Sequence, residues 1–349
     1  MFGGCDEQES SLKMNSYDWA VFQQRFVTEN GRVMDDAQNH ATHSEGQAYA
    51  MLLAVAFDDR KAFDKFWAWS KMNLKVRKND HLLAWLWDPL TKQISDDNNA
   101  TDGDIITAWA LVRAANIWKS SHYGKDAKQI LTDLKKLEVY AKDYLILLPG
   151  AQGFVDQQTI TINPSYFIFP AYQELAVFDP SGSWQRLEQD GLRILEEASF
   201  GKWRLPADWI TISDVGLSIA EDHPPWFSYD AIRIPLYAAW GGVNTTSIDA
   251  FTLFWQQFKG VDGVMPDRVD LKTDFIHFDH KFRAGYAINK LCRHILPSNK
   301  LDSNDWPFLV WREDTSYFDA SLMLLTQLAW QESSLRELMH KSLEGGENE

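Results

Sequence analysis

The sequence predicts an all-α protein, an (α/α)6 barrel in which six helical hairpins close into a toroid decorated by small β-hairpins. Two observations carry this. Apolar helix starts recur at nearly even spacing, and each interval that separates them holds a second, more charged helix. A single such hairpin could not bury its apolar face, so neighbours must stack, with apolar helices inside and amphipathic helices outside.

The starts are read from cap residues. Ser44 opens one apolar helix, Thr101 a second, Asn163 a third and Ser228 a fourth, at intervals of 57, 62 and 65 residues. Pro164 follows Asn163 and suits a first helical turn. Further apolar helices are expected near Asp279 and Ser316, and amphipathic ones from about Asp59, Lys125 and Gln185. In "KAFDKFWAWS", Phe63, Phe66, Trp67 and Ser70 fall at i, i+3, i+4 and i+7. Ile105, Ala108, Trp109 and Val112 repeat that spacing in "DIITAWALVRAANIW". Alternating, strand-like stretches are short: "QTITI" before Asn163, and "WITISDVGLSI" from Trp209 to Ile219. They read as hairpins on a helical body.

The 349 residues suffice for one barrel that buries about 75% of its unfolded surface. Residues 17–340 are expected to form a single catalytic domain, after a flexible leader over 1–16 and before a frayed tail over 341–349. With 34 Lys and Arg against 49 Asp and Glu, the net charge is −15, which disfavours nucleic acid as a partner. No stretch is apolar enough for a transmembrane segment. Cys5 and Cys292 are the only cysteines, too few for a disulfide framework or a zinc site. "FGGC" at 2–5 resembles the end of a bacterial lipoprotein signal, which would make Cys5 a lipid anchor; a plain polar leader is the alternative. The 16 Trp exceed what a core usually needs and suggest flat apolar surfaces for a ring-shaped ligand, or else a Trp-rich core.

Three of the inner-helix starts carry an acid just after the cap: Glu45, Asp102 and Asp230. Acids are ordinary in a first turn, where the helix dipole favours them by about 0.3–1 kcal/mol. Asp104, three residues after Thr101, fits a capping box and is read as structural. Three such acids are harder to dismiss, because all inner helices of a toroid run the same way and their N-termini share one rim. Tyr49, Trp85, Trp87, Trp109, Tyr166 and Tyr229 would ring them. Carboxylates beside stacking aromatics, with no metal ligands, fit glycoside hydrolysis: one acid protonates the leaving oxygen and another carboxylate activates water. Neither a D-x-D metal motif nor a calcium loop fits "DDNNATDGDIIT" by context and spacing. The pair His277 and His280 reads as structural, and no metal or cofactor is expected.

These residues also carry a resemblance. "THSEG" at 42–46, "ATDGDIITAWALVRA" at 100–114, "NPSYF" at 163–167 and "SYDAIRIP" at 228–235 resemble glycoside hydrolase family 8. "NGRVMD" at 30–35, "AWLW" at 84–87 and "ADW" at 207–209 are similar to its secreted endoglucanases that accompany bacterial cellulose synthases. The resemblance spans roughly residues 17–330. It implies an (α/α)6 barrel and inverting endo-hydrolysis of a β-1,4-glucan chain, in the periplasm or outside the cell, with the cellulose synthase export complex as a candidate partner. By position Glu45 matches the proton donor. Asp102 matches the acid long called the nucleophile, better read as binding and distorting the central sugar, and Asp230 the general base. Asn163 and Tyr166 match a segment near the cleft, and Arg233 the Arg beside the base. Chitosanase, lichenase and xylanase activities of the same family, and a non-catalytic glucan-binding scaffold, are the alternatives. His43 and Ala50 depart from the family pattern around Glu45. Glu45 itself needs a neighbouring carboxylate and aromatic desolvation to hold its proton.

Overall fold

The computed structural model describes residues 14–156, 158–243, 246–258, 265–278, 282–295 and 309–345. Cys5 and most of the leader, Asp279, His280 and the last four residues of the tail lie outside the described residues. The helices, in order, are α1 (Ser16–Phe26), α2 (Ser44–Ala56), α3 (Arg60–Asn73), α4 (Thr101–Ile117), α5 (Ser121–Leu134), α6 (Phe169–Phe178), α7 (Trp184–Glu197), α8 (Arg233–Trp240), α9 (Thr246–Gln256), α10 (Ala284–Ile295) and α11 (Tyr317–Gly345). None of them, among the described residues, is long and apolar enough to cross a membrane.

Two kinds of helix alternate, for a reason visible in the sequence. α2 is buried from Gly46 through Val55 and α4 from Thr101 through Val112, on every side. A helix apolar all round belongs inside. α3 instead buries Phe63, Phe66, Trp67 and Ser70, with Ala62 and Trp69 beside them, and exposes Asp64, Lys65 and Ala68. Asp59 caps it, accepting from the Ala62 N–H at 3.0 Å. Contacts pair α2 with α3, α4 with α5, α6 with α7 and α8 with α9. Contacts among α2, α4, α6, α8, α10 and α11 run from each to the next, and from α11 back to α2.

Four small sheets join the helices. β1 (Thr42–His43), β2 (Ala84–Asp88) and β3 (Gln93–Asn99) are antiparallel neighbours, and β1 and β3 run directly into α2 and α4. That shared sheet sets the N-termini of α2 and α4 side by side. Gly103 marks how close they come: a Cβ there would collide with Ser44 Oγ and lie 2.8 Å from the Glu45 nitrogen. β4 (Glu138–Ala141) pairs with β5 (Tyr144–Leu147). The alternating stretches form β7 (Thr159–Ile162), β8 (Ile210–Ser213) and β9 (Gly216–Ile219), which with β6 (Val155–Asp156) make one four-stranded sheet. β10 (Trp226–Phe227), β11 (Arg268–Asp270) and β12 (Ile276–His277) make the last.

Several expected starts move. Ser44 and Thr101 are the first helical residues rather than caps, because the strands before them deliver the chain extended up to His43 and Ala100. The Thr101 hydroxyl donates to the Leu148 carbonyl instead. Asn163 does cap, but caps a 3-10 turn over Pro164–Tyr166, and α6 begins at Phe169. The chain after Ser228 makes a turn before α8 begins at Arg233, so Asp230 lies ahead of the helix. α5 begins at Ser121 rather than Lys125. Ser316 does cap α11, its hydroxyl accepting from the Asp319 N–H at 3.2 Å.

Asp104 is structural, but not through a capping box. Fully buried, it accepts from the Leu83 N–H at 2.8 Å and from the Asn99 amide at 2.9 Å, so it ties both ends of the β2–β3 hairpin to α4. Burial pushes its carboxyl up to about 8. Asp104→Ala strands two buried donors and should lower stability by about 2–4 kcal/mol in denaturant unfolding.

Candidate active site

Arg233, the first residue of α8, is buried and its guanidinium meets all three candidate acids. Nη1 pairs with Glu45 in the first turn of α2 and lies 3.2 Å from Asp102 Oδ2 in the first turn of α4. Nη2 lies 2.6 Å from Asp230 Oδ1 and donates to Ser165 Oγ at 2.9 Å. Ser165 in turn donates to Asn163 Oδ1 at 2.6 Å. Asn163 thus holds the 3-10 turn that presents Ser165 to Arg233, while its amide faces Asp230.

The three acids open into one cleft of about 710 Å³, whose walls include Trp85, Tyr166, Tyr229 and Phe318. Tyr229 stands at the rim, edge-on to Phe318 with ring centroids 5.4 Å apart, and its hydroxyl donates to Asp267 at 3.2 Å. Three aromatics expected there are elsewhere. Tyr49 lies within the core, its hydroxyl 2.7 Å from that of Tyr237. Trp109 is seven residues below Asp102, about 10 Å along the helix, where it packs on Trp240 and under the Arg113 guanidinium. Trp87 is turned away, against Trp69 and Arg32. The reason is shared: an aromatic at helical or strand spacing from an acid still points where its own face points, and these faces meet protein.

Burial raises two of the acids. Burial pushes the Asp102 carboxyl up to about 7, although the Gly103 N–H and the His43 charge pull it back. Asp230 rises well above its ordinary value, first through lost solvation and then through the Asp208 and Asp102 charges; the Asn163 amide and the Trp209 indole act the other way. His43, a departure noted in the sequence, lines the cleft with Nε2 3.1 Å from Asp35 Oδ2.

Residues 7–332 match the family described as Glycosyl hydrolases family 8. The chain belongs to glycosyl hydrolase family 8. A probable endoglucanase from Novacetimonas hansenii is 34% identical over 323 residues, covering 91% of this chain and 91% of that protein. The endo-β-1,4-glucanase of Acetobacter xylinum superposes with a TM-score of 0.81 at 32% identity, over 94% of this chain and 99% of that one. An endoglucanase from Klebsiella pneumoniae gives 0.80 at 33% identity, over 91% and 99%.

Sequence reading of this family-8 hydrolase missed Asp208 and Trp209, which stand behind Asp230. "ADW" is visible as a stretch and Trp209 opens an alternating run, but neither residue sits at a cap beside an acid, so only contacts through space tie them to Asp230.

The raised Asp102 carboxyl has a consequence for stability. The folded chain holds that proton up to about 7, whereas an ordinary carboxyl of 3.8 would have lost it. Between those values the folded state binds the proton more tightly, so stability falls as pH rises through the window. Asp102→Asn cannot titrate. Its stability relative to the unsubstituted chain should rise from about pH 4 to about pH 8 in denaturant melts; a difference independent of pH would mean that Asp102 is ionised throughout.

Proposed function

We propose that the chain is an inverting endo-β-1,4-glucanase, built as an (α/α)6 barrel whose single catalytic domain spans residues 17–340. The observation that carries the reading is the meeting of Glu45, Asp102 and Asp230 on one guanidinium in an open, aromatic-walled cleft. The circuit of contacts from α2 through α11 and back supports the barrel. The relatives' names, endoglucanase and endo-β-1,4-glucanase, support the substrate. The narrower setting, a glucan chain leaving a bacterial cellulose synthase in the periplasm or outside the cell, draws on sequence resemblance.

In this reading Glu45 is the proton donor to the glycosidic oxygen. Asp230 is the general base that takes a proton from water attacking the far face of the ring. Its raised carboxyl makes it a stronger base than an ordinary Asp, nearer the optimum for proton transfer at working pH. Asp102, able to hold a proton near neutrality, binds a hydroxyl of the central sugar and helps to distort that ring. Arg233 supplies the positive charge that lets several carboxylates share the site. Trp85, Tyr166, Tyr229 and Phe318 offer faces for the C–H surfaces of the sugars.

Proton NMR of the first product released from a cello-oligosaccharide tests the mechanism. Inversion yields the α-anomer first; an initial β-anomer would require a covalent intermediate and return Asp102 to the role of nucleophile. Glu45→Gln and Asp230→Asn should each lower kcat by about 10²–10⁴-fold, while oligosaccharide binding, carried by the aromatic walls, changes little. Reducing-sugar release from carboxymethylcellulose, set beside chitosan, xylan and mixed-linkage glucan, tests the substrate. Dominant activity on any of the last three would replace cellulose.

A further inference from the structure

Asp208 takes no part in the roles above, yet the turn that presents Asp230 is built on it. It stands two residues before β8, with a side chain 6% exposed. Its Oδ1 accepts two backbone N–H groups, from Ser228 at 2.8 Å and from Ala231 at 2.9 Å. Its Oδ2 accepts the Ser228 hydroxyl. Its own N–H donates to the Trp226 carbonyl at 2.7 Å, which fixes it to β10. One carboxylate therefore grips both ends of the stretch Ser228–Ala231, and the two residues between the grips are Tyr229 and Asp230. The turn is completed by the Ile232 N–H on the Ser228 carbonyl at 2.9 Å and the Arg233 N–H on the Asp230 carbonyl at 3.0 Å. Arg233, the cation shared by the three acids, is the residue to which this turn leads.

The next residue extends the arrangement. Trp209 turns its indole toward Asp230. The ring is held in a stack, 5.8 Å from Phe154 on one side and 4.6 Å from His223 on the other. Consecutive residues thus support Asp230 twice, Asp208 through the backbone and Trp209 through the side chain. The charged and polar groups that face Asp230 are Asp102 from α4, Arg233 from α8, Asp208 and Trp209 from the lead into β8, and Asn163 beside the 3-10 turn. Tyr166 feels the Asp230 charge from that same turn, and Glu45 of α2 is linked to Asp230 through Arg233. Of the two other carboxylates that act on Asp230, Asp208 is the larger influence. Asp208 has no ionic partner of its own in its contacts, which are all to uncharged donors.

We propose that Asp208 is the positioning residue of the general base: it fixes the turn that carries Asp230 and places a second carboxylate beside that base. This rests on the reading of Asp230 as the base. The arrangement separates the two effects by chemistry. In Asp208→Asn the side-chain carbonyl keeps both backbone N–H groups and the amide nitrogen donates to Ser228 Oγ, so the turn stays and the charge goes. In Asp208→Ala both go.

The experiment is a pH titration of the Asp230 carboxyl by ¹³C NMR in aspartate-labelled protein, set beside the pH profile of kcat/KM on a soluble glucan. In Asp208→Asn the Asp230 titration should move to lower pH, because a neighbouring negative charge has been removed, and the acid limb of kcat/KM should move with it. In Asp208→Ala kcat should fall by about 10²-fold with KM little changed, the effect of a misplaced reacting group. An Asp230 titration unmoved in Asp208→Asn overturns the proposal, as does full kcat in a folded Asp208→Ala. If Asp208→Ala fails to fold, the Asn variant decides alone. A titration that moves while the acid limb stays put would uphold the link from Asp208 to Asp230 and overturn Asp230 as the base.

Discussion

Withdrawing a guanidinium from water as far as Arg233 has been withdrawn costs several kcal/mol, and only well-placed carboxylates offset it. Those carboxylates come from three separate segments: Glu45 from α2, Asp102 from α4 and Asp230 from the turn ahead of α8. The ion pairs are satisfied only when the N-terminal ends of these helices meet. The β1–β2–β3 sheet and the Asn163–Ser165 turn both serve that meeting, one by aligning α2 with α4 and the other by holding the guanidinium's fourth partner. The cleft lies over this cluster, at the N-terminal ends of those helices.

Lost solvation around this one cation raises two of the carboxylates, and for Asp230 the Asp208 and Asp102 charges add to it. Asp102 and Asp230 both rise above their ordinary values. The far end of the same helices shows the contrast. Arg113 of α4 lies between Glu174 of α6 and Glu332 of α11, with paired hydrogen bonds to each, and the Trp240 indole of α8 also donates to Glu332 at 2.6 Å. There the polar groups are occupied by one another and the arrangement works as a clamp. Around Arg233 the acids line an open cleft, so the same chemistry is available to a visitor.

Much of this could be read from the chain. The apolar runs of α2 and α4 and the Asp59 cap of α3 gave the helices, because burial and capping leave marks within a few residues. The acids Glu45 and Asp102 were legible as a coincidence of helix starts. What failed to show depended on partners distant in sequence. Ser44 and Thr101 look like caps, but strands supply the extended residue before each helix. Trp109 looks like a sugar platform, but Trp240 and Arg113, which cover it, come from elsewhere in the fold or a turn further on. Asp208 lies 20 residues before Ser228, and although it falls in the "ADW" stretch, nothing local shows that it holds the turn around Asp230.

Gly103 has a mechanical meaning. With the backbone of α4 lying against Ser44 and Glu45 and no side chain between them, the two helix ends are in direct contact, and neither can slide inward past the other. The backbone positions that carry Glu45 and Asp102 are thus set by direct contact of the two helix ends. A shorter acid at 45 could not be accommodated by drawing the helices together, and a bulkier residue at 103 would wedge them apart. Like a fixed jaw, this side of the cleft sets the gauge, and the turn that carries Asp230 closes the opposite side.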